Sequence, residues 1–193
     1  PGYGGSCFPK DVKALVRTAS EMGMELRVLT SVEEVNERQK QRLGEKLREA
    51  VGDDLTGLRF AVWGLAFKPQ TDDMRDAPSL TLIEHLLESG ATVCAHDPAA
   101  MNEARHKLGD RVTYAETNYD ALTDADALIV VTDWNEYRHP DFARVKSTLK
   151  RPVVIDGRNL YQPDKMADLG FTYHSIGRQS VEHSHPGRVG EYA

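Results

Sequence analysis

From residue 58 onward the chain alternates short apolar runs with amphipathic ones, and that alternation leaves few folds open to it. Residues 58–63 predict a buried strand, and 80–88 an amphipathic helix stopped by Ser89 and Gly90. Strands follow at 92–96, 112–114, 127–131, 153–155 and 171–173, with helices at 99–108 and 142–149. Strands separated by helices pair in parallel, because each crossover must return to the same sheet edge, and the helices then cover both faces. The fold class read from this is α/β, a Rossmann-like parallel sheet behind a helical amino-terminal segment.

That leading segment, 9–51, keeps helical period with a break at Gly23. Its run 36–42 is polar throughout and reads as a solvated or subunit-facing surface. The polar turn at 53–57 sets a boundary, giving a helical segment 1–57 and a sheet domain 58–176. The remainder, 177–193, is expected to be a disordered tail.

In open parallel sheets ligands bind beyond the carboxyl ends of the strands. After the first strand comes 64–76, longer than the usual two to six residues and carrying Phe67, Lys68 and Arg75. Thr132, Asp133, Trp134 and Asn135 follow the apolar strand, and Asp156, Gly157, Arg158 and Asn159 the next. Three cations with two aromatics at one edge suit a ligand with phosphates and a flat ring. Asp97 falls where dinucleotide folds hold ribose, although Asp before Pro98 also forms turns. Because 64–75 is not GxGxxG, this sheet is not a standard NAD site.

The stretch Gly2-Tyr3-Gly4-Gly5-Ser6-Cys7-Phe8-Pro9-Lys10-Asp11 is the other concentrated signal. Pro9 suits a helix start, which puts Cys7 where free N–H groups and the helix dipole favour an anion. A thiolate is a nucleophile, with Lys10 as a nearby cation and Asp11 as a carboxylate within about one turn. The competing reading is a buried cysteine serving as packing.

Lys and Arg total 24 against 30 Asp and Glu, a net charge of −6, which argues against nucleic-acid and membrane-surface partners. No apolar run reaches the roughly 18–20 residues of a membrane span. Two distant cysteines, Cys7 and Cys94, make no disulfide framework and point to a reducing, cytoplasmic setting. No metal site is expected: His183 and His185 lack a third ligand. Cys94 and His96 read as packing.

GYGGSCFPKD resembles the cysteine segment of the UDP-glucose/GDP-mannose dehydrogenase family, and GLAFKPQTDDMRDAPS, VTDWNEY, VVIDGRNLY and FTYHSIGR resemble its later segments in the same order. The resemblance implies Cys7 as nucleophile, with Asp11 in the catalytic group. It also implies substrate contacts from Tyr3, Gly4, Phe67, Lys68 and Arg158, and cofactor contacts from Cys7, Lys10 and Arg75, the cofactor being NAD. It further implies a UDP-sugar substrate, UDP-glucose in the first place, and a homodimer through the helical segment. The family's reaction oxidises a primary alcohol to a carboxylate through a cysteine thiohemiacetal and thioester. Its amino-terminal dinucleotide-binding domain, catalytic lysine and asparagine, and acid–base glutamate are not in this sequence. The chain, which begins in mid-motif, therefore reads as a fragment inactive alone. GDP-mannose or a UDP-N-acetylhexosamine is the alternative substrate; a non-catalytic nucleotide-binding or pairing module is the alternative outside the enzyme class.

Overall fold

The computed structural model describes residues 1–182. Two helices lead: α1 (Phe8–Glu21) and α2 (Arg27–Val51), parted at Gly23. There follow β1 (Arg59–Trp63), α3 (Pro78–Glu88), β2 (Thr92–His96), α4 (Met101–Leu108) and β3 (Thr113–Tyr114). The second half contains β4 (Ala127–Val130), α5 (Asn135–Arg138), α6 (Phe142–Thr148), β5 (Val153–Asp156), α7 (Pro163–Asp168) and β6 (Thr172–Ser175). The single-turn helices α5 and α7 are too short to show a period, which is why the sequence pattern does not announce them.

All six strands are parallel, in the order β3-β2-β1-β4-β5-β6. Side chains alternate across the sheet. Phe60, Val62, Ile129 and Ile155 face one apolar cluster, and Ala61, Trp63, Val130 and Val154 the other. Burial on both faces explains why the strands read as continuous apolar runs. Each large side chain fully buried there stabilises the fold by about 1.5–3 kcal/mol.

The second half of α2 belongs to this core. Leu43 and Leu47 are fully buried against the face formed by α3 and β5. Its first half and α1 are different: among the described residues, every exposed large hydrophobic except Leu169 lies between Phe8 and Val35. The polar run 36–42 departs from its sequence reading, since Asn36 and Lys40 are buried under the amino-terminal loop. Of the expected tail, 183–193 lies outside the described residues, as do His183 and His185. Val181 is described, and it pairs antiparallel with Tyr173.

Candidate nucleotide site at the sheet edge

The chain runs outward from β1 to β3 and then returns to place β4 beside β1. In open parallel sheets such a reversal is where ligands bind, beyond the carboxyl ends of the strands, and here the loops after β1 and β4 meet at it. Gly64 turns the chain out of β1 at φ +94°, with its N–H on the His96 carbonyl at 2.9 Å. A β-carbon there would run into Thr132, so only glycine lets the two loops meet so closely.

Asp97 seals the turn. Its Oδ2 accepts from the Leu65 and Ala66 N–H groups at 2.7 and 3.1 Å and from the Trp134 indole at 3.1 Å. Its Oδ1 accepts from Ala99 and Ala100 at 2.9 and 2.8 Å. In dinucleotide sheets the amides after the first strand cradle a pyrophosphate. Here a buried carboxylate consumes two of them, which gives the missing GxGxxG a physical reason and assigns Asp97 to the turn rather than to ribose.

Arg158 spans the reversal. Nε donates to the Val131 carbonyl at 2.7 Å and Nη2 to the Phe67 carbonyl at 2.9 Å, tying the β4 and β1 loops together. Asp133 lies 3.9 Å away. Burial draws the guanidinium below the ordinary arginine value, against the pull of Asp133. Arg158 is itself set by Asp156 Oδ1, which accepts its backbone N–H at 2.9 Å, while Oδ2 holds Leu160, Tyr161 and the Tyr173 hydroxyl. The exposed Lys68 ammonium stands 5.3 Å from the centre of the Phe67 ring.

The amino-terminal loop lies on the same ring. Gly5, at φ +95°, donates to the Arg75 carbonyl at 2.7 Å, and a β-carbon on it would sit 2.8 Å from Phe67 Cζ. Gly4 rests against the Asp76 carbonyl. Tyr3 is held by Asn36, and its hydroxyl donates to Glu33. Burial and that bond push the phenol up to about 12.

Cys7 is the residue before the first turn of α1, and it is exposed, so it is not a packing cysteine. Its carbonyl accepts from the Asp11 N–H at 2.9 Å, and its Sγ is 3.5 Å from Ser6 Oγ. The Arg75 guanidinium grips Asp73 through two 2.9 Å bonds. Those bonds hold the Asp73 carboxyl below the usual carboxylate range.

The structure thus joins Phe67, Lys68 and Arg158, with Gly5 on the Phe67 ring, whereas Tyr3 lies against Asn36, Glu33 and Phe8, and Gly4 against Asp76 beside Arg75. Lys10 and Asp11 pair with each other at 3.3 Å on the outer turn of α1, about 70 % exposed each. The three cations expected together divide accordingly: Lys68 and Arg158 surround Phe67, while Arg75 turns to Asp73. Sequence reasoning missed Asn36, which nothing in its polar run set apart from Gln39 and Gln41. Among the described residues no group of three or more His, Cys, Asp or Glu side chains is placed to hold a metal ion, and no helix is long and apolar enough to cross a membrane.

A doubly wound parallel sheet with Lys68 and Arg158 at its reversal, preceded by helices whose amino-terminal loop lies on Phe67 there, is the architecture of a nucleotide-binding α/β protein. Residues 61–163 match the UDP-binding domain of the UDP-glucose/GDP-mannose dehydrogenase family and residues 1–38 its central domain, and the chain belongs to that family. It is 47 % identical over 187 residues to the UDP-glucose 6-dehydrogenase of Pseudomonas aeruginosa, covering 94 % of this chain and 41 % of that protein. The UDP-glucose 6-dehydrogenase of Rhizobium meliloti is 47 % identical over 178 residues, covering 92 % of this chain and 40 % of that one. Among solved structures, a UDP-glucose dehydrogenase from Pyrobaculum islandicum superposes with a TM-score of 0.78 at 39 % identity, over 90 % of this chain and 37 % of that one. An NDP-N-acetyl-D-galactosaminuronic acid dehydrogenase from Methanosarcina mazei gives 0.79 at 30 %, over 95 % and 40 %. The chain therefore spans about two fifths of the length of the curated relatives it matches.

Proposed function

We propose that this chain is the sugar-nucleotide half of an NAD-dependent UDP-glucose 6-dehydrogenase, and that it binds the UDP moiety at the cleft between β1 and β4. The observation that carries the reading is the Arg158 fork, which closes the loops around Phe67 and Lys68 within reach of the cysteine loop. Arg158 and Lys68 supply positive charge for the diphosphate, and the Phe67 ring and the Tyr3–Gly5 backbone border the sugar nucleotide.

Cys7, exposed at the helix start, is the nucleophile in this reading. Its sulfur adds to the aldehyde carbon of the sugar as a thiohemiacetal. That carbon gives up a second hydride, to a second equivalent of NAD, and its hydroxyl proton to become a thioester, which water cleaves to the acid and the free thiol. Asp11 orients water or moves a proton on the same turn. NAD, when bound, supplies the acceptor for the electrons removed from the alcohol. The Asp97-sealed turn does not fit a dinucleotide, and in this reading Cys7, Lys10 and Arg75 would contact the cofactor instead. The chain spans about two fifths of its relatives' length, and in this reading it does not turn over substrate by itself.

The same reading has two copies meeting through α1 and the first half of α2. Val28, Val32 and Val35 line an open groove of about 740 Å³ beside Tyr3, and Phe8, Leu15 and Met22 are exposed nearby. The free, accessible Cys7 fits a cytoplasmic setting.

Calorimetric titration with UDP, with GDP and UMP as controls, tests the proposal. UDP binding that exceeds GDP binding and weakens in Lys68→Ala supports it. No binding by a folded sample would sink the cleft as a self-sufficient site.

A further inference from the structure

The run 36–42 contains a residue for which a solvated helix surface has no use. Asn36 is 4 % exposed, and its amide closes both backbone groups of one residue. Oδ1 accepts from the Tyr3 N–H at 2.8 Å, and Nδ2 donates to the Tyr3 carbonyl at 3.2 Å. The side chain thereby does what a neighbouring strand would do. Gly2 lies directly on Asn36 and on the stem of Lys40, whose ammonium is tied to Glu37 at 2.9 Å.

The opposite side of the loop is held elsewhere. Gly5 donates to the Arg75 carbonyl, and Phe67 lies under it. Cys7 comes two residues later, at the start of α1. The loop is thus pinned at Tyr3 by α2 and at Gly5 by the 64–76 loop. The partners of Asn36 lie on the loop alone, whereas Leu43 and Leu47 fasten α2 to the sheet.

We propose that Asn36 is a positioning residue: its amide fixes residues 2–7, and through them the Cys7 sulfur, against the nucleotide cleft. The inference deepens the function proposed above and rests on it for the ligand, while the clamp itself can be tested without one.

The test compares the parent chain with Asn36→Ala and Asn36→Asp. It reads single-amide hydrogen exchange, iodoacetamide alkylation of Cys7 with and without UDP-glucose, and thermal melting. Alanine removes both bonds, and aspartate keeps the acceptor for the Tyr3 N–H but sets an oxygen against the Tyr3 carbonyl. In Asn36→Ala the Tyr3 amide should exchange about tenfold faster, the scale of one lost hydrogen bond, and in Asn36→Asp, which keeps that acceptor, by a smaller factor. Slowing of Cys7 alkylation by UDP-glucose should disappear, while exchange in β1 and β4 stays as in the parent. Unchanged Tyr3 exchange would overturn the proposal. So would a uniform rise across α2 and the sheet with ligand protection retained, the signature of a purely structural residue. If UDP-glucose fails to slow alkylation in the parent, the functional reading fails, and the ligand-free Tyr3 exchange still decides for or against the clamp.

Discussion

The Arg158 guanidinium donates to the Phe67 carbonyl at 2.9 Å across the point where the sheet reverses direction. With the Thr132 hydroxyl on the Ala66 carbonyl, the bond ties together two loops that are otherwise separate in sequence. A planar fork can reach Val131 and Phe67 at once, and a single ammonium cannot match that geometry. Arg158→Lys should therefore weaken UDP binding about tenfold or more although the charge is kept. Arg158→Ala should also lower stability by about 1–3 kcal/mol, because two carbonyls lose their donors. Urea denaturation beside calorimetry separates the effects, and parent-like UDP affinity in Arg158→Lys would refute a role for the fork.

Asp97 gathers five donors from three segments, and its loss should be felt as folding energy. Asp97→Ala leaves buried N–H groups at Leu65 and Ala66 unpaired and should cost more than about 3 kcal/mol. Asp97→Asn restores one acceptor oxygen and should recover part of that loss. Equal denaturation midpoints for the parent and Asp97→Ala would show that water satisfies the turn instead.

The two cysteines should behave as opposites. Cys7 is exposed, whereas Cys94 is 3 % exposed in β2 and burial pushes its thiol up, against the pull of Arg59. Mass spectrometry after brief iodoacetamide treatment of native protein should find one label, on Cys7, with Cys94 reacting only in denaturant. A native label on Cys94 at a comparable rate would mean that β2 opens far more often than its burial implies.

The sheet was legible in the sequence because both its faces are covered, so each strand prints a continuous apolar run with a turn after it. Positions just past those runs named the cleft, Phe67, Lys68 and Arg158 included. What stayed hidden depends on contacts between distant segments. Nothing local shows that Asn36 would reach back to Tyr3, thirty-three residues away. Asp97 was ambiguous for the same reason, since a turn former and a ribose ligand are the same residue until the Leu65 and Ala66 amides are placed.

Two buried histidines give the fold a pH dependence whose sign follows from their surroundings. His96 meets the Tyr137 hydroxyl at 2.9 Å and Glu136 at 3.4 Å; burial lowers its pKa despite the charges of Asp97 and Asp120. His174 meets Ser180 at 3.1 Å and Glu49 at 3.6 Å; burial, then Lys46, lowers it against Glu49 and Glu182. Both start from 6.5, so below that value the unfolded chain binds more protons than the folded one. Their contribution is therefore complete above 6.5 and is lost as pH falls from there through the lowered native values. Glu136, raised from 4.5 by burial and then by Asp97, has the opposite sign just above 4.5 and blunts the lower end of the window. Urea midpoints measured from about pH 8 to about pH 5 should fall with acidity in the parent and flatten in the His96→Gln, His174→Gln double variant. A parent midpoint that holds level across that range would show that the two rings are protonated as easily in the fold as in the unfolded chain.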